Sequence, residues 1–398
     1  MTGNGVTFGL GVRSFTAYPE MPDPDDLIAF CQRAEELEYD SVWVWDHIFL
    51  GVEPCFPILD SLTLLTAIAC HTTTIKLGTG VLVLPLRNPA ILAKETATLD
   101  IISKGRLILG LASGWYAREF DAVGIPFKKR GDLFDRNLEI LTRLWTEDKV
   151  SGEYPPHNLR SAVLQPKPFQ KPRPPILIGG YADRVLKRTA TKGDGWLTYF
   201  YTPEAFTRSM DKIKGYAEEA GRDPNELESL NQIPIMVTRS DQDRADMEEW
   251  LTTEWDYASW SESTKESAII GSADHCAEQL QRHADVGVNR IVLIPYKYHA
   301  DQVEMLAEEV IPKVRGGEGG SWVPLVFRGI PTRRPGAGFC RTKIPGRSSR
   351  RKTKRASPAR GKDARDRGAV GGQHPRDAGR RVRRLPRREQ GQPGRLGA

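Results

Sequence analysis

Hydrophobic and polar positions along the first 315 residues switch repeatedly between two periods. Short apolar runs rich in β-branched residues give way to stretches with apolar residues at helical spacing. The clearest example spans Thr74 to Tyr116. Residues 75–84 form an apolar run that stops at Pro85, with Asn88-Pro89 just beyond. Ile91, Leu92, Leu99 and Ile102 then follow at helical spacing, and Ser103-Lys104-Gly105 ends the stretch. Glycine just past the last periodic residue is a helix stop. Residues 106–111 are apolar again. Strand, helix and strand within about forty residues is the βαβ crossover. Both strands are apolar at nearly every position, as parallel strands covered on both faces must be.

The unit recurs. The pattern predicts strands at 6–12, 41–45, 75–84, 106–111, 175–178, 195–200, 233–238 and 290–294. Helices are expected at 25–38, 59–71, 183–191, 203–220, 274–286 and 301–314, with a long helical stretch from Trp115 through Trp145. Eight strands each followed by a helix is the count for a (β/α)8 TIM barrel. Two stretches do not fit the unit and read as insertions: a polar, Pro-rich loop at 147–174, and an acidic segment at 240–270 with Trp250, Trp255 and Trp260, read as a lid, an interface or core filling. A doubly wound open sheet would want GxGxxG after a strand. Gly9-Leu10-Gly11 and Gly78-Thr79-Gly80 both lack the third glycine, and neither opens a helix.

Charge changes this picture at one place. The net charge of +6 conceals a split. Residues 318–398 carry 23 Lys and Arg against 5 Asp and Glu, or +18, and leave −12 on residues 1–317. The expected organisation is therefore a barrel domain over 1–316 and an Arg/Gly/Pro-rich tail over 317–398. Such a tail cannot bury a core and is expected to be disordered. It reads either as a nucleic-acid-binding arm or as out-of-frame sequence. The second is preferred, because an acidic body offers no nucleic-acid surface for an arm to serve.

Other classes receive no support. The five cysteines contain no CxxC pair and suggest neither a disulfide framework nor zinc. The seven histidines form no HxxxH or HxH pair, so no metal is expected; His275 and His283, eight apart on a helix, are expected at the surface. The first residues lack a basic segment followed by an apolar one. No run approaches the roughly 20 apolar residues of a membrane helix. A cytoplasmic protein with no membrane partner is the expectation.

In a (β/α)8 barrel the chemistry sits at the carboxyl ends of the strands. Strand two ends in Asp46-His47, the best acid/base candidate, since a neighbouring carboxylate can tune a histidine near neutral pH. The bland alternative is a histidine that caps the strand. Strand three offers Thr79-Gly80-Val81. Glycines inside an apolar strand mark a bulge or the close approach of a flat ligand, or else simple packing. Strand four gives Ser113-Gly114-Trp115, and its serine stands one place too late for GxSxG. Strand five gives Gly179-Gly180-Tyr181 just before a helix. That turn is either a phosphate site, with backbone N–H groups at a helix start, or a plain connection.

Taken together, SVWVWDHIF, the long segment from Ile75 to Leu141, RPPILIGG, KGDGW and GVNRIVL make residues 6–315 resemble the luciferase-like monooxygenases, the bacterial luciferase superfamily of flavin- and deazaflavin-dependent barrels. The fragment GWYAREFDAVGIPFKKRG looks most like the branch that uses coenzyme F420, and FMN is the alternative cofactor. The resemblance implies an oxidoreductase acting on a small organic molecule, either by hydride transfer with F420 or by oxygenation with FMN and O2. It also leaves a homodimer open. His47 matches the active-site histidine, with Asp46 beside it. Gly80-Val81 matches the non-prolyl cis peptide behind the cofactor ring, and Thr79 precedes it. Gly179-Gly180 matches the phosphate turn, with Tyr181 next, and Ser113-Gly114-Trp115 matches the loop beside the cofactor. Deazaflavin-dependent sugar-phosphate dehydrogenases carry Glu where this chain has Trp115, which argues against that activity. The basic tail has no counterpart in the family. A third reading is a degenerate, non-catalytic barrel whose tail binds nucleic acid.

Overall fold

The computed structural model describes residues 5–53, 55–253 and 261–315. Eight parallel strands close into a barrel: β1 (Thr7–Gly11), β2 (Ser41–Val44), β3 (Lys76–Val83), β4 (Leu107–Ala112), β5 (Ile176–Gly179), β6 (Gly195–Tyr199), β7 (Glu228–Val237) and β8 (Arg290–Pro295). Each pairs in parallel with the next, and β8 pairs back onto β1 from Thr7↔Arg290 to Leu10↔Leu293. This is the TIM barrel expected from the eightfold alternation.

Trp43, Ile108, Leu177, Leu197, Leu230 and Val292, one from each of six strands, form a buried cluster with Val81 and Tyr199 beside it. This is the barrel interior. Alternate strand residues such as Val42, Leu77, Leu109, Ile176 and Ile291 pack outward against helix residues that include Leu65, Ile68, Leu141 and Leu280. The two-sided burial explains the unbroken apolar runs. Gly78 belongs to this interior. A Cβ there would lie 2.2 Å from the Trp43 ring, so Gly78 makes room for Trp43 and is a packing glycine.

Helix starts follow local chemistry. Asp23 caps α1 (Pro24–Glu36), Asp60 caps α2 (Ser61–His71), and Asn88 accepts from two N–H groups at the head of α3 (Pro89–Ile102). The expected long helix after Trp115 is two helices, α4 (Ala117–Ala122) and α5 (Arg130–Thr146). Between them Gly124 adopts φ +71°, which breaks the helical path. The later helices are α6 (Asp183–Lys192), α7 (Pro203–Glu219), α8 (Asp241–Thr253), α9 (Ser261–Ser267) and α10 (Ala273–Asp285).

Two expectations need correction, and one choice left open is decided. First, β7 begins at Glu228, five residues earlier than its apolar run, because its first residues are polar and two of them find carbonyl partners. The Ser229 hydroxyl donates to the Gly287 carbonyl, and the Asn231 amide donates to the Tyr201 carbonyl. Second, the 147–174 loop contains an antiparallel hairpin, Val150–Tyr154 with His157–Ala162. Of the readings open for the 240–270 insertion, core filling is the one that Trp250 meets. Trp250 is buried on α8 against Tyr296, 5.6 Å between ring centres, and shares a cluster with Phe15, Leu50 and Phe56. Trp255 and Trp260 lie outside the described residues, as does the tail at 317–398. No helix among the described residues is long and apolar enough to cross a membrane.

Candidate active site at the barrel mouth

A cavity of about 340 Å³ opens at the carboxyl ends of the strands. It brings together Asp46, His47, Gly80, Val81, Ser113, Gly114, Trp115, Gly179, Gly180 and Tyr181, residues from four separate strand ends. Thr79 is the one predicted site residue that does not line it. Its side chain is buried and its hydroxyl donates to the Gly110 carbonyl, tying β3 to β4.

The floor is the end of β3. The Gly80–Val81 peptide is cis, and the β3–β4 register shifts between Thr79 and Leu82. The Gln232 amide donates to the Gly80 carbonyl at 3.3 Å. A Cβ on Gly80 would meet that same amide nitrogen at 2.9 Å, so a larger residue would collide with the group that holds the floor.

His47 and Asp46 are neighbours in sequence but serve different contacts. His47 Nδ1 lies 3.1 Å from Glu119 Oε2, and the Ile48 N–H donates to Glu119 Oε1 at 2.6 Å. Glu119 sits on α4 and is 1 % exposed. A carboxylate only accepts, so Nδ1 carries the proton and Nε2 is the nitrogen left for a ligand. The rings of Trp115 and Tyr116 meet the imidazole edge-on at 5.7 and 6.5 Å.

Asp46, 5 % exposed, faces the other way. Its Oδ1 accepts from Arg87 at 2.5 Å and from the Ser61 hydroxyl at 2.8 Å, and its Oδ2 accepts from the Val83 N–H at 3.0 Å. It thus joins the ends of β2 and β3 to the head of α2. Burial opposes the charge on Arg87, but Asp46 and Asp60 outweigh it and raise the guanidinium above its ordinary value. The expectation that Asp46 would attend its neighbouring histidine assigned the carboxylate to the wrong partner. Glu119 takes that place, and no local signal marked it, because the pairing joins residues from two different strand–helix connections.

The opposite wall is backbone-rich. Gly180 has φ +129°, a conformation open to glycine, and the Trp196 indole N–H donates to its carbonyl at 2.9 Å. A Cβ on Gly179 would lie 2.7 Å from Val81 Cγ1. Next comes α6, whose N-cap, Ala182, supplies no side-chain hydrogen bond to the first N–H groups. Uncapped N–H groups beside glycines suit an anion. Tyr181 stacks on Tyr201 at 5.3 Å with planes 15° apart. Gly114 turns at φ +83°, and its carbonyl accepts from Arg130 Nε at 3.1 Å. Arg130 also donates to the Phe127 carbonyl and lies 4.0 Å from the centre of the Phe127 ring. Among the described residues no three His, Cys, Asp or Glu side chains converge as a metal site. His283, expected at the surface, is 3 % exposed, and burial lowers its pKa to about 4.

Comparison with known proteins gives this arrangement a family. The profile of the luciferase-like monooxygenases matches residues 6–290. Among curated relatives, an F420-dependent glucose-6-phosphate dehydrogenase of Amycolatopsis mediterranei is 27 % identical over 335 residues, which cover 76 % of this chain and 98 % of that one. An FMNH2-dependent dimethylsulfone monooxygenase of Pseudomonas putida is 25 % identical over 288 residues, 64 % of this chain and 78 % of that one. Among solved structures, an F420-dependent secondary alcohol dehydrogenase holding an F420–acetone adduct superposes with a TM-score of 0.66 at 22 % identity, covering 77 % of this chain and 99 % of that one. The chain belongs to the luciferase-like monooxygenase family.

Proposed function

Given that membership, we propose that the protein is an F420-dependent oxidoreductase that moves a hydride to or from a small organic substrate. The observation that carries the reading is the pairing of a half-buried His47, held by the buried Glu119, with a glycine-lined face across one cavity. The full-length likeness to an F420-dependent relative supports the choice of cofactor. The residues present fit such a group. Gly80 and Val81 offer a flat face free of long side chains, and Ser113-Gly114 flank it. Gly179, Gly180 and the uncapped start of α6 offer backbone N–H groups for its phosphate. When bound, the deazaflavin supplies the hydride chemistry, and the protein supplies position and electrostatics.

The chain's own residues then have distinct tasks. His47 Nε2 takes the proton from a substrate hydroxyl, or returns one to a carbonyl oxygen. Glu119 holds the ring in the tautomer that leaves Nε2 ready and steadies the imidazolium that forms. Trp115 and Tyr116 restrict the imidazole's swing. Asp46 keeps Val83 and Arg87 in place, and so shapes the floor rather than moving the proton.

A second reading keeps the same site and uses reduced FMN with O2 to oxygenate the substrate. The Pseudomonas relative favours it. Titration of the full chain with F420 and, separately, with FMN decides between them. Tighter F420 binding, with spectral change on adding a substrate and no O2 uptake, supports the hydride-transfer reading. Tighter FMN binding with O2 uptake overturns it.

A further inference from the structure

The apolar lining of the cavity does not stop at its mouth. Leu50 lines the cavity and is buried, whereas its neighbours Ile48, Phe49 and Val52 are turned out to solvent. Trp115 does both, lining the cavity with part of its ring exposed. Ile48, Phe49, Val52 and Trp115 are each between 39 and 54 % exposed. They belong to two neighbouring connections. The one after β2 folds into a short antiparallel pair, Leu50–Gly51 with Cys55–Phe56, and the other follows β4. The Tyr116 hydroxyl donates to the Gly51 carbonyl at 3.5 Å and so joins the two. Phe15, Trp45 and Phe200 continue the same apolar surface inward. A lone exposed apolar side chain is ordinary, but several together, continuous with a cavity, mark a place where something apolar lies.

From this we infer that the substrate carries an apolar chain longer than the cavity is deep, which leaves the mouth over the lip of Ile48, Phe49, Val52 and Trp115. This substrate class rests on the oxidoreductase reading of the cavity and names the body of the molecule. It holds for a neutral head and for an anionic one, since Arg130 lines the cavity with no carboxylate partner among the described residues. The volume sets where the chain must go. About 340 Å³, shared with a cofactor ring, leaves room for a few carbons beyond the reacting centre, so further methylenes pass the lip. Each one laid against Phe49 or Val52 leaves water, which is favourable in proportion to the apolar area covered. A protein partner fits the lip less well. A stable interface takes roughly 20–30 residues a side, and this surface is narrow and runs into the cavity through Leu50 and Trp115.

The test is a binding series that needs no turnover. The full chain, saturated with whichever of F420 and FMN binds or left without cofactor if neither does, is titrated calorimetrically with 2-alkanones from 2-butanone to 2-decanone and with n-alkanoates from butanoate to decanoate. In at least one series the affinity is expected to rise about two- to fourfold per methylene up to the longest member. Phe49→Ser and Val52→Ser, both at exposed positions, should leave the melting temperature and the Kd of the shortest member unchanged and raise the Kd of the longest about three- to tenfold. Affinity that stops rising after the first one or two added methylenes overturns the inference, as does binding of neither series. An unchanged Kd for the longest member in both variants places the chain elsewhere and overturns it. An equal loss for short and long members in both variants assigns the effect to the loop itself and also overturns it. The expected rise and its loss in the variants, found on an FMN-loaded chain or on one that binds neither cofactor, support the apolar chain while the F420 reading falls, so the two failures are distinct.

Discussion

Glu119 Oε2 lies 3.1 Å from His47 Nδ1 across 72 positions of sequence, and its other oxygen accepts from the Ile48 backbone N–H. One buried carboxylate thus fixes both the imidazole and the backbone just after it. That bond joins the end of β2 to α4 and sets which nitrogen of His47 is available.

His47→Asn should lower kcat by about 10²–10⁴ while cofactor affinity changes little, because a general acid–base group acts on the chemical step. Glu119→Gln keeps the side-chain volume but can donate to Nδ1 and so stabilise the wrong tautomer. Its kcat should fall with KM nearly unchanged, and the acidic limb of the pH–rate profile should shift. Steady-state kinetics across pH reads both. Wild-type kcat in Glu119→Gln would remove it from a positioning role.

Asp46→Asn separates the two acidic candidates. It leaves Arg87 short of its closest carboxylate, with Asp60 as the remaining partner, and should cost about 1.5–3 kcal/mol of stability, the range for hydrogen bonds to a charged group. The pKa values of the pH–rate profile should stay where they are. Thermal denaturation and kinetics on one preparation check this. A profile that moves with full stability retained would return Asp46 to the proton-transfer machinery.

Gly179→Ala places a methyl 2.7 Å from Val81 Cγ1, so the floor must shift. Overpacking of this kind costs about 1–3 kcal/mol, and felt at the cofactor it amounts to a rise in Kd of roughly ten- to a hundredfold. A fluorescence titration with F420 measures it. An unaltered Kd would show that the cofactor does not lie against this face.

His283 gives the fold a pH dependence unrelated to the active site. Its ordinary value of 6.5 falls to about 4 because burial disfavours the charged ring. The native state therefore binds fewer protons than the unfolded chain between those values. Stability is full above pH 6.5 and declines as pH falls toward 4, by about 3 kcal/mol from this group. His283→Gln should flatten urea-denaturation stability over pH 6.5 to 4. An equally steep decline in the variant would assign it to other groups.

The sequence by itself determined the barrel. Parallel strands buried on both faces must be apolar along their length, and each connection carried its own stop and start, such as Ser103-Lys104-Gly105 and Asn88-Pro89. It also placed strand ends, because a run stops where its apolar residues stop, and it thereby gathered His47, Ser113-Gly114-Trp115 and Gly179-Gly180 as candidates for one mouth, with Gly80-Val81 added by the glycines inside the third run. Only the tertiary structure decided who meets whom there. It gave Asp46 to Arg87, gave Glu119 to His47, sent Thr79 to Gly110, and separated Gly78, which packs under Trp43, from Gly80, which faces the cavity. It also started β7 among polar residues and buried Trp250 and His283. The physical reason is the same throughout. Periodicity reports whether a side chain is covered, whereas a hydrogen bond or a close packing contact depends on which distant element does the covering.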